Sequence, residues 1–566
     1  MRVETEYERW LSSKRVSEED KEILRSMTLE ERDDAFFKDI EFGTAGMRGV
    51  LGPGTNRMNA FTVRKATVAF AQYLIEKYPD IQTRGVVIAH DNRHFSREFT
   101  LEASEVLNLS GIRTYIFDSL RPTPELSFAV RKLHACGGIV ITASHNPREY
   151  NGYKVYEENG CQLVPSKIQR LLDILAELPN ELDVEVKKAK DKEETIVLPK
   201  SMDDDYVEAV LSIRLNPDLD KSNYRIVYTP QHGTSYMNAM RIFKEAGYEI
   251  IPVEDQCSPD PDFSHTLSPN PEEKKAYVEA LEIAEREHAD LILMTDPDAD
   301  RVGVAYRSSK GTYEYLNGNE SGAMLMDYIF EQRKEKGLLA KDGIMFNTIV
   351  TSSFGTEIAH YYGVKVESLL TGFKFIGDKV AEYEENGKGT YEFGYEESYG
   401  CLIAPFVRDK DGLQALLMLA EMGVYYRNKG MALDEALEAC YKKVGHYHKD
   451  VQYSKFFKGE SDARDMKNLM KTLRILPLQE IAGHKIIRTE DYLKSEAFEN
   501  GRSTPILLPK SDVIKLILDN GSSIAVRPSG TEPKCKFYIN AVSTSKDDID
   551  ELPEKLYQDF AKALHL

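Results

Sequence analysis

The chain is poor in everything that marks a secreted, membrane-bound or nucleic-acid-binding protein. Its six cysteines (Cys136, Cys161, Cys257, Cys401, Cys440 and Cys535) are scattered with no C-x-x-C pair among 566 residues. That spacing excludes a zinc ribbon and a disulfide framework and leaves reduced core thiols. No run of eighteen apolar residues occurs, and the opening M-R-V-E-T-E-Y-E-R-W lacks an apolar signal region. Neither a transmembrane helix nor a secretory leader is therefore expected, and the expected location is cytoplasmic. Positive charge is also short, 73 Lys and Arg against 93 Asp and Glu, for a net −20. An acidic surface gains nothing from nucleic acid or anionic membrane, so both are excluded as expected partners.

What remains is ordinary globular material, 42% hydrophobic and 29% charged. A chain this long divides into roughly three to five domains of ~100 to 200 residues each. Three segments repeat one pattern of apolar strand, polar loop, amphipathic helix ending at glycine, and second strand. The first runs from V-V-I-A-H (Val86–His90) through Gly111 to T-Y-I-F, and the second from R-I-V-Y-T (Arg225–Thr229) through Gly247 to Y-E-I-I-P-V. The third runs from G-I-M-F-N (Gly343–Asn347) through Gly363 to V-K-V-E-S. Each glycine stands where a helix C-cap needs a left-handed residue, and each unit has the length of a β-α-β crossover. The glycines recur at domain rather than solenoid intervals.

The C-terminal part reads differently. V-I-K-L-I-L (Val513–Leu518), a D-N-G turn, S-I-A-V and C-K-F-Y-I-N-A predict a hairpin-rich antiparallel α+β domain before a final helix. Linkers are expected in the charged tract Lys187–Glu194, near Asn317–Glu320 and around Gly445–Lys449. The expected domains are residues 1–202, 203–318, 319–440 and 441–566.

Four short motifs carry chemistry. In T-A-S-H-N-P (Thr142–Pro147), Ser144 follows the apolar run G-I-V-I-T and so sits at the carboxyl end of a strand, where α/β sheets place ligands. It lacks the G-x-S-x-G of a nucleophile elbow, and His145 is a poor base for it because adjacent side chains seldom meet. By itself the loop also reads as a plain turn. In D-P-D-A-D-R (Asp296–Arg301), alternation in an extended backbone would put Asp296, Asp298 and Asp300 on one side. Three converging carboxylates need a cation, and oxygen ligands at this spacing suit Mg²⁺. An EF-hand is excluded because Arg301 and Arg307 stand where it needs glycine and glutamate. A phosphatase using D-x-D with the first aspartate as nucleophile remains the chemical rival on this segment. Glu396 and Ser398, in G-Y-E-E-S-Y-G, offer acceptors for sugar hydroxyls or form a solvated acidic turn. Arg527, Ser529, Gly530 and Thr531, in R-P-S-G-T, offer a guanidinium fork, hydroxyls and backbone N–H groups to a phosphate. A phosphate ligand in an acidic protein needs local cations, and Arg301 and Arg527 within these motifs, with Arg48 in G-T-A-G-M-R-G, Lys154 in N-G-Y-K, Lys374 in T-G-F-K and Lys534 just after R-P-S-G-T, are the candidates.

The four motifs in this order resemble the α-D-phosphohexomutases over almost the whole chain, closest to the phosphoglucomutase and phosphopentomutase subgroup. The resemblance implies three similar mixed-sheet α/β domains and a smaller fourth domain around a central cleft. It implies that Ser144 carries a transferable phosphoryl group, that Arg48 and Lys154 lie beside it, and that Ser144 with the three aspartates holds Mg²⁺. It further implies that His145, Arg301, Thr371, Gly372, Lys374, Glu396 and Ser398 meet the substrate, with Thr371–Lys374 serving its second orientation. The loop Arg527–Thr531 would grip the phosphate that is not transferred. Two departures stand out. Pro297 replaces the family's commoner glycine, and Gly400 stands where the phosphomannomutase branch often has histidine, so no histidine acid/base carries over.

The implied activity interconverts sugar 1-phosphate and sugar 6-phosphate, glucose first, through a bisphosphorylated sugar, with Mg²⁺ as cofactor and glucose 1,6-bisphosphate as activator. Phosphopentose, mannose phosphate and bisphosphate synthesis are the alternatives, and a non-catalytic sugar-phosphate sensor is the alternative of another class. A sensor would have lost Ser144 or an aspartate, and all are present. His90 and His94 lack the helix and following glutamate of a zincin and read as loop packing. Asp91, Arg93 and Arg97 read as a local salt network.

Overall fold

A computed structural model of the chain describes residues 2–43, 46–456, 460–476, 478–528 and 534–564. The first sheet has seven strands in the order Phe42–Gly43, Gly46–Val50, Tyr150–Glu157, Gly137–Ile141, Val86–His90, Thr114–Ile116, Thr195–Val197. Val86–His90 and Gly137–Ile141 are parallel, apolar and buried throughout, as strands covered on both faces must be. Tyr150–Glu157 then returns antiparallel to Gly137–Ile141. The tract Lys187–Glu194, expected as a linker, is without helix or strand and leads into an edge strand, Thr195–Val197, which pairs in parallel with Thr114–Ile116. The sheet's core is filled by Phe70, Leu74, Ile88, Phe99, Ile139 and Tyr153.

The second sheet repeats the plan, with Leu291–Thr295 parallel to Ile226–Thr229, which is in turn parallel to Ile250–Pro252. Val302–Arg307 returns antiparallel to Leu291–Thr295. The third has the order Lys365–Leu369, Gly343–Thr348, Thr390–Glu396, Gly400–Leu402. In all three repeats the third strand, Gly137–Ile141, Leu291–Thr295 and Thr390–Glu396 in turn, runs into a short loop that leads to the next strand. Those loops hold Ser144, Asp296–Asp300 and Glu397–Ser398, with Glu396 closing its strand. The expected glycines cap their helices in left-handed conformation, with φ of 80° at Gly111, 81° at Gly247 and 77° at Gly363.

The C-terminal sheet is antiparallel throughout, from Tyr447–Phe456 through Lys534–Ser543, Ser523–Pro528, Ile514–Leu518 and His484–Asp491 to Glu496–Glu499 and Arg502–Pro505. Leu469 and Leu473 on one helix and Leu556 and Phe560 on another cover its apolar face. In the D-N-G turn only Gly521 takes positive φ, 87°. Asn520 acts through its side chain, which accepts from Ser522 N at 3.0 Å and donates to Val542 O at 3.0 Å.

An N-terminal group of helices, Arg2–Ser12, Glu18–Ser26 and Leu29–Phe36, buries Tyr7, Trp10, Leu24 and Phe36 with Leu182. Trp10 Nε1 donates to Glu181 Oε1 at 2.8 Å, so the only tryptophan fixes this group to the first domain. The chain forms two compact units. One comprises Met1–Leu316, Phe373–Phe393 and Tyr399–Gly430, and the other Asn317–Gly372, Gly394–Ser398 and Met431–Leu566. Among the described residues no helix is long and apolar enough to cross a membrane.

Candidate active site

In the first unit, the loop after Gly137–Ile141 meets the loop after Leu291–Thr295. Ser144 is buried with φ 52°, a left-handed conformation costly for a residue with a Cβ. Its Oγ donates to Asp296 Oδ2 at 2.6 Å and lies 3.2 Å from His145 Nδ1. The sequence expectation that these neighbours do not meet is therefore corrected, because the left-handed turn at Ser144 swings its side chain toward the ring. Burial and the nearby Arg301 and Arg48 hold His145 well below its ordinary pKa, so the imidazole is neutral.

Arg93 fixes this turn. It is buried on Asp91 at 3.2 Å and donates to four carbonyl oxygens, Ser144 at 2.6 Å, Asn146 at 2.5 Å, Pro147 at 2.8 Å and Tyr150 at 3.1 Å. Arg97, expected in the same network, donates instead to Phe117 O at 3.2 Å. The expected local ion pair is present between Asp91 and Arg93, without Arg97, and it also braces the Ser144 loop. Arg48 reaches the loop from the neighbouring strand, donating to Asn146 Oδ1 at 2.9 Å.

Asp296, Asp298 and Asp300 are buried, with carboxylate oxygens within 4.8 Å of one another. Their convergence comes from a turn, not from strand alternation as expected. Leu291–Thr295 ends before Asp296, and Ala299 takes φ 58°. Asp296 Oδ1 closes that turn by accepting from Asp300 N and Arg301 N, each at 3.1 Å. Gly233 accommodates Pro297, since a Cβ there would lie 2.5 Å from the proline Cα, and Thr234 N donates to Pro297 O at 2.8 Å. A Cβ on Gly412 would likewise lie 2.5 Å from Ala299 O, to which Gly412 N donates.

Two lysines and a threonine balance the acids. Lys154 Nζ donates to Asp298 Oδ2 at 2.8 Å, Thr123 Oγ1 to the same oxygen at 3.0 Å, and Lys410 Nζ lies 3.1 Å from Asp300 Oδ2. Burial and the other two aspartates push Asp296 well above the ordinary carboxylate range. Burial opposes ionisation of Asp298 too, but Lys154 and its hydrogen bonds prevail and lower its pKa. Asp298 Oδ1 and Asp300 Oδ1 are buried without a hydrogen-bond partner. Two orphaned oxygens among three converging carboxylates fit a hard divalent cation.

Lys410 was not expected from the sequence, being remote from the aspartates along the chain with no local motif. Its stem lies across Gly400, where a Cβ would fall 2.0 Å from Lys410 Cδ. The space available to a side chain at position 400 is thus already filled by lysine. Arg301, expected at the substrate, pairs with Glu272 at 2.6 Å. Lys374 is a buried side chain in this unit, 5.4 Å above the Phe375 ring, and so is not the surface charge that its sequence also allowed.

The second unit gathers another group. Gly372, with φ 119°, donates its N–H to Glu396 Oε1 at 2.8 Å, joining the Thr371–Gly372 turn to the glutamate. Glu397 Oε2 accepts from Thr348 Oγ1 at 3.1 Å and Thr351 Oγ1 at 3.3 Å. Burial and neighbouring Glu396 push the Glu397 carboxyl up to about 7. Ser398 follows in the same loop. Arg527 lies at the end of strand Ser523–Pro528, opposite Lys536. Ser529, Gly530 and Thr531 lie outside the described residues.

A serine held against a buried acidic turn, with lysines and an arginine around both, is the equipment of a phosphotransferase. Four consecutive regions match the phosphoglucomutase/phosphomannomutase domains, the alpha/beta/alpha domains I, II and III at residues 39–181, 204–310 and 317–444 and the C-terminal domain at 466–558. The chain belongs to the phosphoglucomutase/phosphomannomutase family, the α-D-phosphohexomutases. A phosphoglucomutase of Staphylococcus aureus (strain MRSA252) is 38% identical over 525 residues, covering 92% of each chain. Among solved structures, a phosphoglucomutase/phosphomannomutase family protein from Burkholderia thailandensis superposes with a TM-score of 0.65 at 18% identity, covering 92% of this chain and 97% of its own. The open form of pp63/parafusin from Paramecium gives 0.66 at 19%, with 92% and 94% covered. These two similarities concern the fold.

Proposed function

We propose that the protein is an intramolecular phosphotransferase interconverting glucose 1-phosphate and glucose 6-phosphate, with Ser144 as the phosphoryl carrier. The observation that carries this reading is the 2.6 Å contact between Ser144 Oγ and Asp296 within the acidic turn. The similarity to the Staphylococcus aureus phosphoglucomutase supports glucose phosphate as the substrate.

In the proposed cycle a sugar hydroxyl oxygen attacks phosphorus on Ser144, the P–Oγ bond breaks, and a bisphosphorylated sugar forms. Ser144 Oγ then attacks the phosphorus at the other end of that sugar, the bond from that phosphorus to the sugar oxygen breaks, the Oγ proton ends on the freed sugar oxygen, and the second monophosphate leaves. The residues supply position and charge rather than covalent chemistry beyond Ser144. Arg93 holds the serine turn, while Arg48 and Lys154 bring positive charge beside it. Asp296, Asp298 and Asp300 would hold Mg²⁺, which when bound neutralises charge on the transferring phosphoryl group. Glu396 and Ser398 are assigned to sugar hydroxyls, and Arg527 to the phosphate that is not transferred. His145, Arg301, Thr371, Gly372 and Lys374 are assigned to the substrate.

Glucose 1,6-bisphosphate would prime unphosphorylated Ser144. The partners are then small phosphosugars, with no nucleic acid or membrane, and the location is cytoplasmic. Pro297 in the acidic turn favours one second reading, action on pentose phosphates.

The test is turnover of glucose, mannose and ribose 1-phosphates with Mg²⁺ and a trace of the matching bisphosphate, with intact mass followed in parallel. Conversion of glucose 1-phosphate without net phosphate release, together with a one-phosphoryl mass shift absent in Ser144→Ala, is expected. Net phosphate release, or full activity of Ser144→Ala, would overturn the reading.

A further inference from the structure

The second unit contains a cluster that the phosphotransfer reading does not use. Helix Ser353–Tyr361 presents Glu357, and the chain leaving Gly445 into strand Tyr447–Phe456 presents His446 and His448. Two residues apart in extended backbone, the histidines share a face while Tyr447 points away. His446 Nδ1 and His448 Nε2 lie 3.1 and 3.2 Å from the same oxygen, Glu357 Oε2. All three ligand atoms fall within 4.8 Å of one another.

The His448 ring is buried and stacked on Phe354, with centroids 4.9 Å apart and planes 19° from parallel. Phe354 and Glu357 stand three apart on one helix face, so the stacking aims Nε2 at the carboxylate. Tyr441 Oη donates to His448 O at 3.1 Å and fixes the strand behind it. His446 and Glu357 remain partly open to solvent.

We propose that Glu357, His446 and His448 form a second metal site, one for a borderline divalent ion such as Zn²⁺. Two imidazoles and one carboxylate on a rigid helix and strand match the three-protein-ligand pattern that leaves a position for water. Metal–ligand bonds of ~2.0–2.1 Å in a tetrahedron separate neighbouring ligand atoms by about 3.4 Å. Two of the three edges, at 3.1 and 3.2 Å, are already near that spacing, and the third lies within 4.8 Å. Ligand chemistry separates this site from the acidic turn of the first unit, since imidazole selects Zn²⁺ or Co²⁺ while carboxylates alone suit Mg²⁺. The bound ion would clip helix Ser353–Tyr361 to the first strand of the C-terminal sheet. Asn540 Nδ2, donating to Val350 O at 3.1 Å, and Lys515 Nζ, donating to Ile349 O at 2.8 Å, tie the same helix's approach to that sheet.

The test uses the full chain stripped with chelator, held in excess Mg²⁺ and titrated with Zn²⁺ in a calorimeter, with Co²⁺ as the spectroscopic probe. One equivalent of Zn²⁺ and the visible absorption of four-coordinate Co²⁺ are expected. His446→Gln and Glu357→Gln should each weaken Zn²⁺ binding by at least about tenfold and lose the Co²⁺ band, while Asp296→Asn keeps both. His446 is partly exposed, so its variant should retain the native circular dichroism. Absence of Zn²⁺ binding in the native chain, or native affinity retained in both cluster variants, would overturn the proposal and leave a hydrogen-bonded cluster only.

Discussion

Ser144 Oγ donates to Asp296 Oδ2 at 2.6 Å, although the two residues are 152 positions apart in the chain. A phosphoryl group on Ser144 would remove that donor and set a dianion against three buried carboxylates. Like charges about 4 Å apart at an effective dielectric of ~20 repel by ~4 kcal/mol, so the phosphorylated form needs a cation more than the free serine does. Mg²⁺ is expected to bind phosphorylated protein at least about tenfold more tightly than the dephosphorylated form, a difference of ~1.4 kcal/mol. Calorimetry on the two forms checks this. Equal affinities would detach the serine from the metal site.

Arg93 is expected to act as a positioning residue for Ser144. Lysine in its place keeps the charge but loses the planar fork that serves four carbonyls. Displacing a reacting group by about 1 Å costs ~10²-fold, so Arg93→Lys should lower kcat by about that factor and leave KM nearly unchanged. Phosphorylation of Ser144 by the bisphosphate should slow in parallel. Arg93→Ala should also destabilise the fold by ~3–5 kcal/mol, because Asp91 is left buried and unpaired. A purely structural brace would lower stability without slowing serine phosphorylation in the lysine variant.

Gly400 and Lys410 are expected to be energetically coupled. A Cβ at position 400 would fall 2.0 Å from Lys410 Cδ, so Gly400→His must push the lysine away from Asp300. Gly400→His and Lys410→Ala should each impair turnover, and the double variant should be little worse than either alone. A double-mutant cycle on kcat/KM measures this. Strict additivity, within ~0.5 kcal/mol, would mean that histidine fits without moving the lysine.

The chemistry was most legible where it lay in contiguous motifs at strand ends. Apolar runs with following polar turns locate Ser144 and the aspartates, because a buried parallel strand must emerge into a loop at its carboxyl end. The repeat of strand, helix and capping glycine likewise revealed three related α/β domains. What stayed hidden depends on long-range packing. Nothing local at Lys410 shows that it reaches Asp300, and Arg93 reads as a salt-network member until its four carbonyl partners are seen. The aspartates converge as expected but through a left-handed Ala299, a backbone state that their alternating spacing does not encode. Trp10 and the N-terminal helices carry no local motif, because they serve a helix-on-domain contact.

The last expectation concerns pH and the second unit. Burial, then repulsion from Glu396, raises the Glu397 carboxyl from its ordinary 4.5 to about 7, against a backbone hydrogen bond and the bond from Thr348. A group whose folded pKa lies above its unfolded value contributes fully below the unfolded pKa, and that contribution is lost as pH rises through the folded one. The window here therefore runs from about 4.5 to about 7. Native protein should lose stability across it, on the order of 2 kcal/mol once partial exposure is allowed for. Glu397→Gln carries no such charge and keeps an oxygen for the two threonines. Its apparent Tm relative to the native chain should therefore rise between about pH 5 and about pH 8. Thermal scans of both proteins over that range decide it. A Tm difference independent of pH would place the Glu397 carboxyl at its ordinary value, and a falling difference would mean that its charge is stabilising in the folded unit.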